Sequence, residues 1–370
     1  MKKIIFINNL SFGGAERVVS RLFLDERIRK TASLWTLNSK EDYETNYCRK
    51  ISFESVNVVF SYFKALVHLL FLKKNDLLQA HLNNPIILSG FAKLFNRRFV
   101  LQTVHCFSYS GFYLHKKSIF WLFHKSLMSR ALKASDHHIF KSKEMLSDFE
   151  GFFGWMPRSY EVIYNPYDVE EILSMSNQEL NSSEIDDKAF NIVVVGRLAS
   201  SKRPFDILEI ASRFKGLADF HFLGDGVERE RLETICQLEG LDNVKFHGRK
   251  LNPFPYINIC DIYLSCSESE GFPNTLIESM ILGKLCIHSN CATGPKEILA
   301  NDWDYRLKDN FDVVKRGILF NTGDIKGACR AINYAIDNFD ELDGKFNDET
   351  FLQNISLNMI TDKYYQALIN

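Results

Sequence analysis

Short apolar runs alternate with longer amphipathic ones along almost the whole chain, and this alternation narrows the possible folds more than any other feature. A strand covered on both faces reads as a brief run of Val, Ile, Leu and Phe. A covering helix reads as apolar positions three and four apart. In the first half, strands are predicted at residues 4–7, 33–37, 56–60, 77–80, 99–104, 137–140 and 162–164. Helices are predicted at 15–24, 62–72, 86–95 and 115–132. The second half repeats the style, with strands at 192–195, 220–223, 244–246, 262–265 and 285–288 and helices at 205–214, 229–238 and 275–282. Such alternation implies an α/β fold, with parallel sheets carrying helices on both faces.

A chain of 370 residues is long enough for two domains. Residues 165–188 are polar and rich in Ser, Asn and Glu, and the expected break falls there. Two Rossmann-like doubly wound domains are therefore expected, at 1–168 and 189–349, joined by a linker at 169–188 that has room for one short helix. They are expected to face each other across a cleft, with ligands at the carboxyl ends of the strands. The final segment, 350–370, shows helical spacing at Ile355, Met359, Ile360, Tyr364 and Leu368.

The net charge of −1 hides an asymmetry. Residues 1–168 carry 24 Lys and Arg against 14 Asp and Glu, a net of +10; the remainder carries 21 against 32, a net of −11. A basic half points to an anionic partner: a diphosphate, an acidic membrane or nucleic acid. No RNP-like, KH or helix-turn-helix signal accompanies the charge, so no nucleic-acid partner is expected. The eight cysteines lack a C-x-x-C and any zinc spacing, and most lie in apolar runs, as buried reduced thiols do. A reducing, cytoplasmic setting is expected. Met1-Lys-Lys-Ile-Ile-Phe-Ile7 is basic then apolar, but Asn8 and Asn9 end the run too early for a signal peptide, and it reads as a first strand. No apolar run reaches the length of a membrane span.

Three segments carry chemistry. In Glu270-Gly-Phe-Pro-Asn-Thr-Leu-Ile-Glu278, one carboxylate sits in a loop and the other in the first turns of a predicted helix closed by Gly283. Helix-start amides and acceptor carboxylates together can hold the hydroxyls of a sugar or ribose. In Val195-Gly-Arg-Leu-Ala-Ser-Ser-Lys202, a strand ends and Pro204 suits the next helix's first turn. Arg197 and Lys202 then lie on a strand-to-helix loop, where a diphosphate would be gripped by a forked guanidinium and a mobile ammonium. In Phe12-Gly13-Gly14-Ala15-Glu16-Arg17, two glycines after the first strand permit close approach to a phosphate. The third glycine of a dinucleotide fingerprint is missing.

These segments resemble, in order and spacing, the E-x7-E, G-R-L-x-x-x-K and G-G-A-E-R motifs of retaining glycosyltransferases of family 4 (glycosyl transferases group 1), which have the two-domain GT-B fold. Thr103-Val-His105, Asn165-Pro-Tyr-Asp168, Phe222-Leu-Gly-Asp-Gly226, Phe246-His-Gly248 and Gly294-Pro-Lys-Glu-Ile298 resemble further family segments. The resemblance implies transfer, with retention, of a hexose or N-acetylhexosamine from a nucleotide diphosphate sugar, UDP rather than GDP. The acceptor it implies is a hydroxyl of a lipid-linked glycan or of a lipopolysaccharide or surface-polysaccharide precursor. It also implies roles: Glu270, Arg197, Lys202 and His105 in catalysis, and Gly13, Gly14, Arg197, Lys202, Gly248, Phe272, Asn274, Thr275 and Glu278 in donor binding. A last helix crossing back to the first domain is implied too. For His105, and for nearby His81, a buried structural histidine is an equal alternative.

No cofactor or metal is expected. The D-x-D at Asp302-Trp-Asp304 follows no strand and reads as a surface loop. A glycosidase has no use for the Arg197–Lys202 loop. A silent nucleotide-sugar-binding subunit, or an epimerase or phosphorylase of the same architecture, remains open. Two stretches of the basic half mix aromatics with cations: residues 62–74, and residues 115–133 with Lys116, Lys117, Lys125, Arg130 and Lys133. They fit either an anionic membrane surface, placing the protein peripherally on the inner face of the cytoplasmic membrane, or helices packed on the sheet with solvated basic faces.

Overall fold

The structure, a computed structural model, describes residues 1–43, 45–180 and 189–369. The chain divides into two compact units. The first comprises Met1–Tyr167 and Gln353–Asn370, the second Asp168–Leu352.

The first unit is built on seven parallel strands: β1 (Lys3–Ile7), β2 (Ala32–Thr36), β3 (Lys50–Ser52), β4 (Leu77–His81), β5 (Val100–His105), β6 (His137–Phe140) and β7 (Tyr160–Val162). Their order is β3-β2-β1-β4-β5-β6-β7. Alternate residues feed opposite cores, because successive side chains of a strand point to opposite faces. Ile4 and Phe6 of β1 join one core; Ile5 and Ile7 join the other. The second core is closed by the C-terminal helix Leu357–Ile369, which buries Ile360, Tyr364 and Leu368 there. Gln102 of β5 donates to the Ala367 carbonyl at 2.6 Å and ties that helix to the sheet.

Two readings change here. Residues 56–60 are not a strand: Asn57 accepts from the Val59 amide at 2.8 Å and caps the helix Val58–Leu70. The β-branched pair Val58-Val59 reads as strand locally, but the cap and the packing of Ala65 and Leu69 in the core decide for helix. The short edge strand β3 is polar and partly exposed, so it gives no apolar signal.

The second unit holds β8 (Phe190–Val195), β9 (Ala218–Leu223), β10 (Val244–Gly248), β11 (Ile262–Ser265), β12 (Leu285–Ser289), β13 (Phe311–Val314) and β14 (Gly317–Phe320). The order is β10-β9-β8-β11-β12-β14-β13, parallel except that β13 runs antiparallel to β14. That last hairpin and the helix Ile325–Asp337 went unread in the sequence. Residues 169–176, expected as linker, form the helix Val169–Ser176 of this unit, capped where Asp168 accepts from the Glu171 amide at 3.0 Å. The stretch 181–188 of the expected linker lies outside the described residues.

Each sheet reverses its winding once, between β1 and β4 and between β8 and β11. Neighbouring strands there send their connections to opposite sides, and their carboxyl ends leave a crevice. Five of the eight free cysteines are buried. Among the described residues, no helix is long and apolar enough to cross a membrane.

Buried imidazoles make the fold acid-sensitive. Burial pushes His138 down to about 3, His221 and His288 to about 4, and His81 and His105 well below the ordinary value of 6.5. The unfolded chain then binds more protons than the folded one below pH 6.5, so stability falls as pH drops from 6.5 toward 4. Each group contributes up to ~1.4 kcal/mol per pH unit in that window. Thermal midpoints measured from pH 8 to pH 4 should be flat above about 7 and fall steeply below 6.

Candidate functional site

The carboxyl end of β8 runs into Gly196 and Arg197, beside the end of β11 at Ser265, Cys266 and Ser267. Arg197, Lys202, Val195 and Ser267 help to line a cavity at this switch point. The neighbouring loop after β9 fits flush against it, backbone to backbone. Leu198 donates to the Asp225 carbonyl at 2.9 Å, and Glu228 to the Leu198 carbonyl at 3.1 Å. A Cβ on Gly224 would stand 1.8 Å from the Gly196 carbonyl oxygen, and one on Gly226 would stand 2.2 Å from that of Leu198. Only glycine permits this approach, so Gly224 and Gly226 set the shape of the Arg197 loop.

Arg197 is exposed. Lys202 closes a single turn, Ser200–Lys202, before Pro204 opens the helix Pro204–Ser212. Its ammonium meets the Glu270 carboxylate at 2.5 Å. Burial alone would raise the Glu270 carboxyl, but the Lys202 charge and hydrogen bonds from Lys202 and Ser267 outweigh it and hold the group below its ordinary range. The loop bearing Glu270 is stitched to the segment after β12. Glu270 donates its amide to the Ala292 carbonyl at 2.7 Å, and the Thr293 hydroxyl donates to the Gly271 carbonyl at 2.9 Å. Gly294, at φ 101°, lies against Gly271 and Pro273, where a Cβ would collide at 2.9 Å.

The helix Asn274–Ile281 begins directly after Pro273. Phe272 is buried, Asn274 is half-buried, and the Thr275 hydroxyl pairs with that of Tyr263 at 2.9 Å. Glu278 is wholly buried on this helix. His288, at the end of β12, is also wholly buried and acts electrostatically on Glu270. Its Nδ1 donates to the Ser289 carbonyl at 2.8 Å. Sequence reasoning missed His288 and Ser267: a histidine or serine at a strand end carries no local mark of what the next strand places beside it.

Other expected residues lie apart from this constellation. Gly248 ends β10, at φ 68°, and its carbonyl accepts from the Gly224 amide at 2.9 Å; it supports the loop and does not line the cavity. Gly13 and Gly14 open the helix Gly14–Leu22 in the first unit, where Gly13 leaves room for the Glu16 carboxylate folding back over the first turn. His105 is fully buried in the first unit's aromatic core. Its Nδ1 bonds to the Tyr109 hydroxyl at 2.8 Å, its Nε2 to His138 at 3.0 Å, and its ring stacks on Phe140 at 4.1 Å. With both nitrogens engaged and no exposure, it corresponds to the structural alternative and cannot reach a substrate in this structure. Asp302 and Asp304 are exposed, and the Asp302 carboxylate accepts from the Asp304 amide at 3.0 Å, a local turn. Among the described residues, no three His, Cys, Asp or Glu side chains cluster to hold a metal.

Two family models match nearly end to end: Glycosyltransferase Family 4 over residues 31–171, and Glycosyl transferases group 1 over residues 175–350. The chain belongs to the family 4, group 1 glycosyltransferases. It is 29% identical over 314 residues, 82% of this chain and 84% of the relative, to the Campylobacter jejuni N-acetylgalactosamine-N,N'-diacetylbacillosaminyl-diphospho-undecaprenol 4-alpha-N-acetylgalactosaminyltransferase. It is 27% identical over 179 residues, 46% of this chain and 45% of the relative, to the Escherichia coli lipopolysaccharide 1,6-galactosyltransferase. Anabaena Alr3699/HepE in complex with UDP-glucose superposes with a TM-score of 0.79 at 16% identity, over 100% of this chain and 99% of that one, and shares its fold. This glycosyltransferase thus has the GT-B architecture of two doubly wound units.

The glycosyltransferase's Arg197 loop depends on Gly224. Gly224→Ala should cost ~1–3 kcal/mol of stability, the usual range for overpacking, because the colliding atom is backbone. Urea denaturation measures that cost. Nucleoside diphosphate affinity, measured under conditions where the variant is folded, should fall with it.

Proposed function

We propose that this glycosyltransferase moves a hexose or N-acetylhexosamine from a nucleotide diphosphate sugar, UDP rather than GDP, to a hydroxyl, with retention at the anomeric carbon. The acceptor is a lipid-linked glycan or a precursor of lipopolysaccharide or another surface polysaccharide. The observation that carries this reading is the placement of Arg197 and Lys202 on one loop of the β8/β11 crevice, with Glu270 in contact with Lys202. The relatives' names support the choice of acceptor, and the UDP-glucose complex of a protein of like fold supports the choice of donor.

On this reading Arg197 and Lys202 stabilise the diphosphate as charge develops on its leaving oxygen. Lys202 already holds a carboxylate, so an arriving diphosphate competes with Glu270 for the ammonium. Glu270, released or shared, then positions the donor sugar together with amides of Phe272–Thr275. Glu278 serves the ribose hydroxyls from the same helix. The acceptor hydroxyl attacks on the face the diphosphate leaves, and the departing phosphate oxygen takes its proton. No protein nucleophile enters, and the two cations supply the charge that a metal would otherwise bring. His105 is left out of the catalytic set.

Arg197→Ala and Lys202→Ala should each lose ~2–4 kcal/mol of transition-state stabilisation, roughly thirty- to a thousand-fold in kcat/KM. Activity within threefold of the parent for both variants would remove the assignment. Excess EDTA should leave turnover near its untreated value, and product NMR should show the donor's anomeric configuration kept. Loss restored by Mg²⁺ or Mn²⁺ would bring a metal into the mechanism.

A membrane-facing surface on the first unit completes the proposal. The helix Ile119–Lys133 exposes Ile119, Phe120, Leu122 and Phe123, and Val58–Leu70 exposes Val58, Val59, Phe60 and Phe63. Both flank the helix Asn83–Phe95, which exposes Leu94 and Phe95 on the same side of the sheet. Trp121, on the same helix, instead packs inward on the core. The Lys116 ammonium lies 3.0 Å from the Phe112 ring centroid and that of Lys125 lies 3.7 Å from Phe152, so these two cations are partly engaged within the unit. Apolar insertion should therefore contribute more, and charge less, than the sequence alone implies. Anionic vesicles should pull the protein down in co-sedimentation, and a salt-resistant fraction should disappear in Phe120→Ser/Phe123→Ser. A protein that stays in the supernatant at low salt would refute the membrane surface.

A further inference from the structure

Lys141 is the first residue after β6, and only 2% of it is exposed. Its ammonium donates to the Tyr364 hydroxyl of the C-terminal helix and lies 4.6 Å from the centre of that ring. Among the described residues no carboxylate pairs with it, and its nearest acidic neighbour is the Cys106 thiol. A lone buried ammonium lowers stability, because the lost hydration is not replaced by an opposite charge. Packing therefore does not explain it: an unbranched apolar side chain of similar length would fill the same space at less cost.

The neighbours do not supply an anion. His81, at the end of β4, is wholly buried and neutral. Its Nε2 donates to the Gln79 side-chain oxygen at 3.0 Å, which leaves Nδ1 as an acceptor with no partner among the described residues. Cys106, just beyond β5, accepts from the Leu82 amide, and burial pushes its thiol up to about 11, so it stays protonated. Glu16 is close enough to act on Cys106 and Glu161 to act on Tyr364, and among the described residues neither carboxylate forms an ion pair with Lys141. Among the described residues, the carboxyl ends of β4, β5 and β6 thus enclose a cation that no carboxylate pairs with. They adjoin the β1/β4 switch point, where the Gly13–Gly14 turn opens a helix. Ligands of doubly wound sheets bind at that place, and a fixed charge in a poorly hydrated wall acts on them with little screening.

We propose that Lys141 is the fixed counter-charge of a phosphoryl- or diphosphoryl-binding site at the carboxyl end of the first unit's sheet. This rests on the reading that the substrates carry diphosphates, and adds to it a positioning residue that no motif marks. The group bound there belongs either to the nucleotide donor or to a lipid diphosphate acceptor.

Inorganic pyrophosphate binding to the full chain, measured by calorimetry in an Arg197→Ala/Lys202→Ala background, isolates this site from the one in the second unit. That background should still bind pyrophosphate, and adding Lys141→Met should weaken binding at least tenfold. The thermal midpoint of Lys141→Met alone should equal or exceed the parent's, which separates loss of charge from loss of fold. Unchanged pyrophosphate affinity on adding Lys141→Met, or no binding to the background at all, would overturn the proposal. Displacement by UDP would assign the site to the donor, and displacement by farnesyl diphosphate to the acceptor. Displacement by neither would mark an adventitious ion and also overturn it. Failure of the donor-site reading would show separately, as retained activity in Arg197→Ala and Lys202→Ala.

Discussion

A parallel sheet that is wound in both directions must contain one pair of neighbours whose connections leave on opposite sides. At that pair the carboxyl ends cannot be covered by their own crossovers. In this protein the pairs are β1/β4 and β8/β11, and the charged side chains that matter collect around them. Arg197 and Lys202 follow β8; Gly13 and Gly14 follow β1; Lys141 lies two strands along from β4. The rest of each unit holds those strand ends in place.

In the second unit, the holding is done by backbone. Gly196, Leu198, Gly224, Asp225 and Gly248 exchange main-chain hydrogen bonds across three strand ends, and the absence of side chains at Gly224 and Gly226 lets the loops touch. A similar seam joins residues 269–271 to 292–294 and carries Glu270 toward Lys202. Loops fixed in this way hold charge without relying on flexible side chains, which is what stabilisation of a leaving diphosphate requires. The Lys202–Glu270 pair adds a second property. It holds the Glu270 carboxylate ionised and both groups close to the site, yet 32% of the Lys202 side chain stays exposed, so an incoming anion can compete for it.

In the first unit the burden falls on histidines and aromatics. His105 and His138 are neutral links in a hydrogen-bonded, stacked core rather than acid–base groups. Lys141 is the opposite case, a charge kept where packing would prefer an apolar chain. A buried group with every partner satisfied belongs to structure; a buried cation with no carboxylate beside it invites a functional account.

The sequence by itself determined the parallel α/β class, eleven of the strands to within a residue or two, and the three loops that bear Arg197–Lys202, Glu270–Glu278 and Gly13–Gly14. These follow from local information: apolar period, glycine and proline placement, and spacing within a motif. The helix Val58–Leu70 was partly misread and the edge strands β3 and β13 were missed, because edge strands lack a two-sided apolar run and a Val-Val pair favours strand until a cap and a core contact override it; β14, short but interior and apolar, was missed as well. Only the tertiary structure decided that His105 is a core residue, that Glu278 is buried, that Trp121 faces inward, that His288 sits by Glu270 and that among the described residues no carboxylate pairs with Lys141. Each depends on which strand or helix lies alongside. That is set by pairing between residues far apart in the chain, and no local pattern records it.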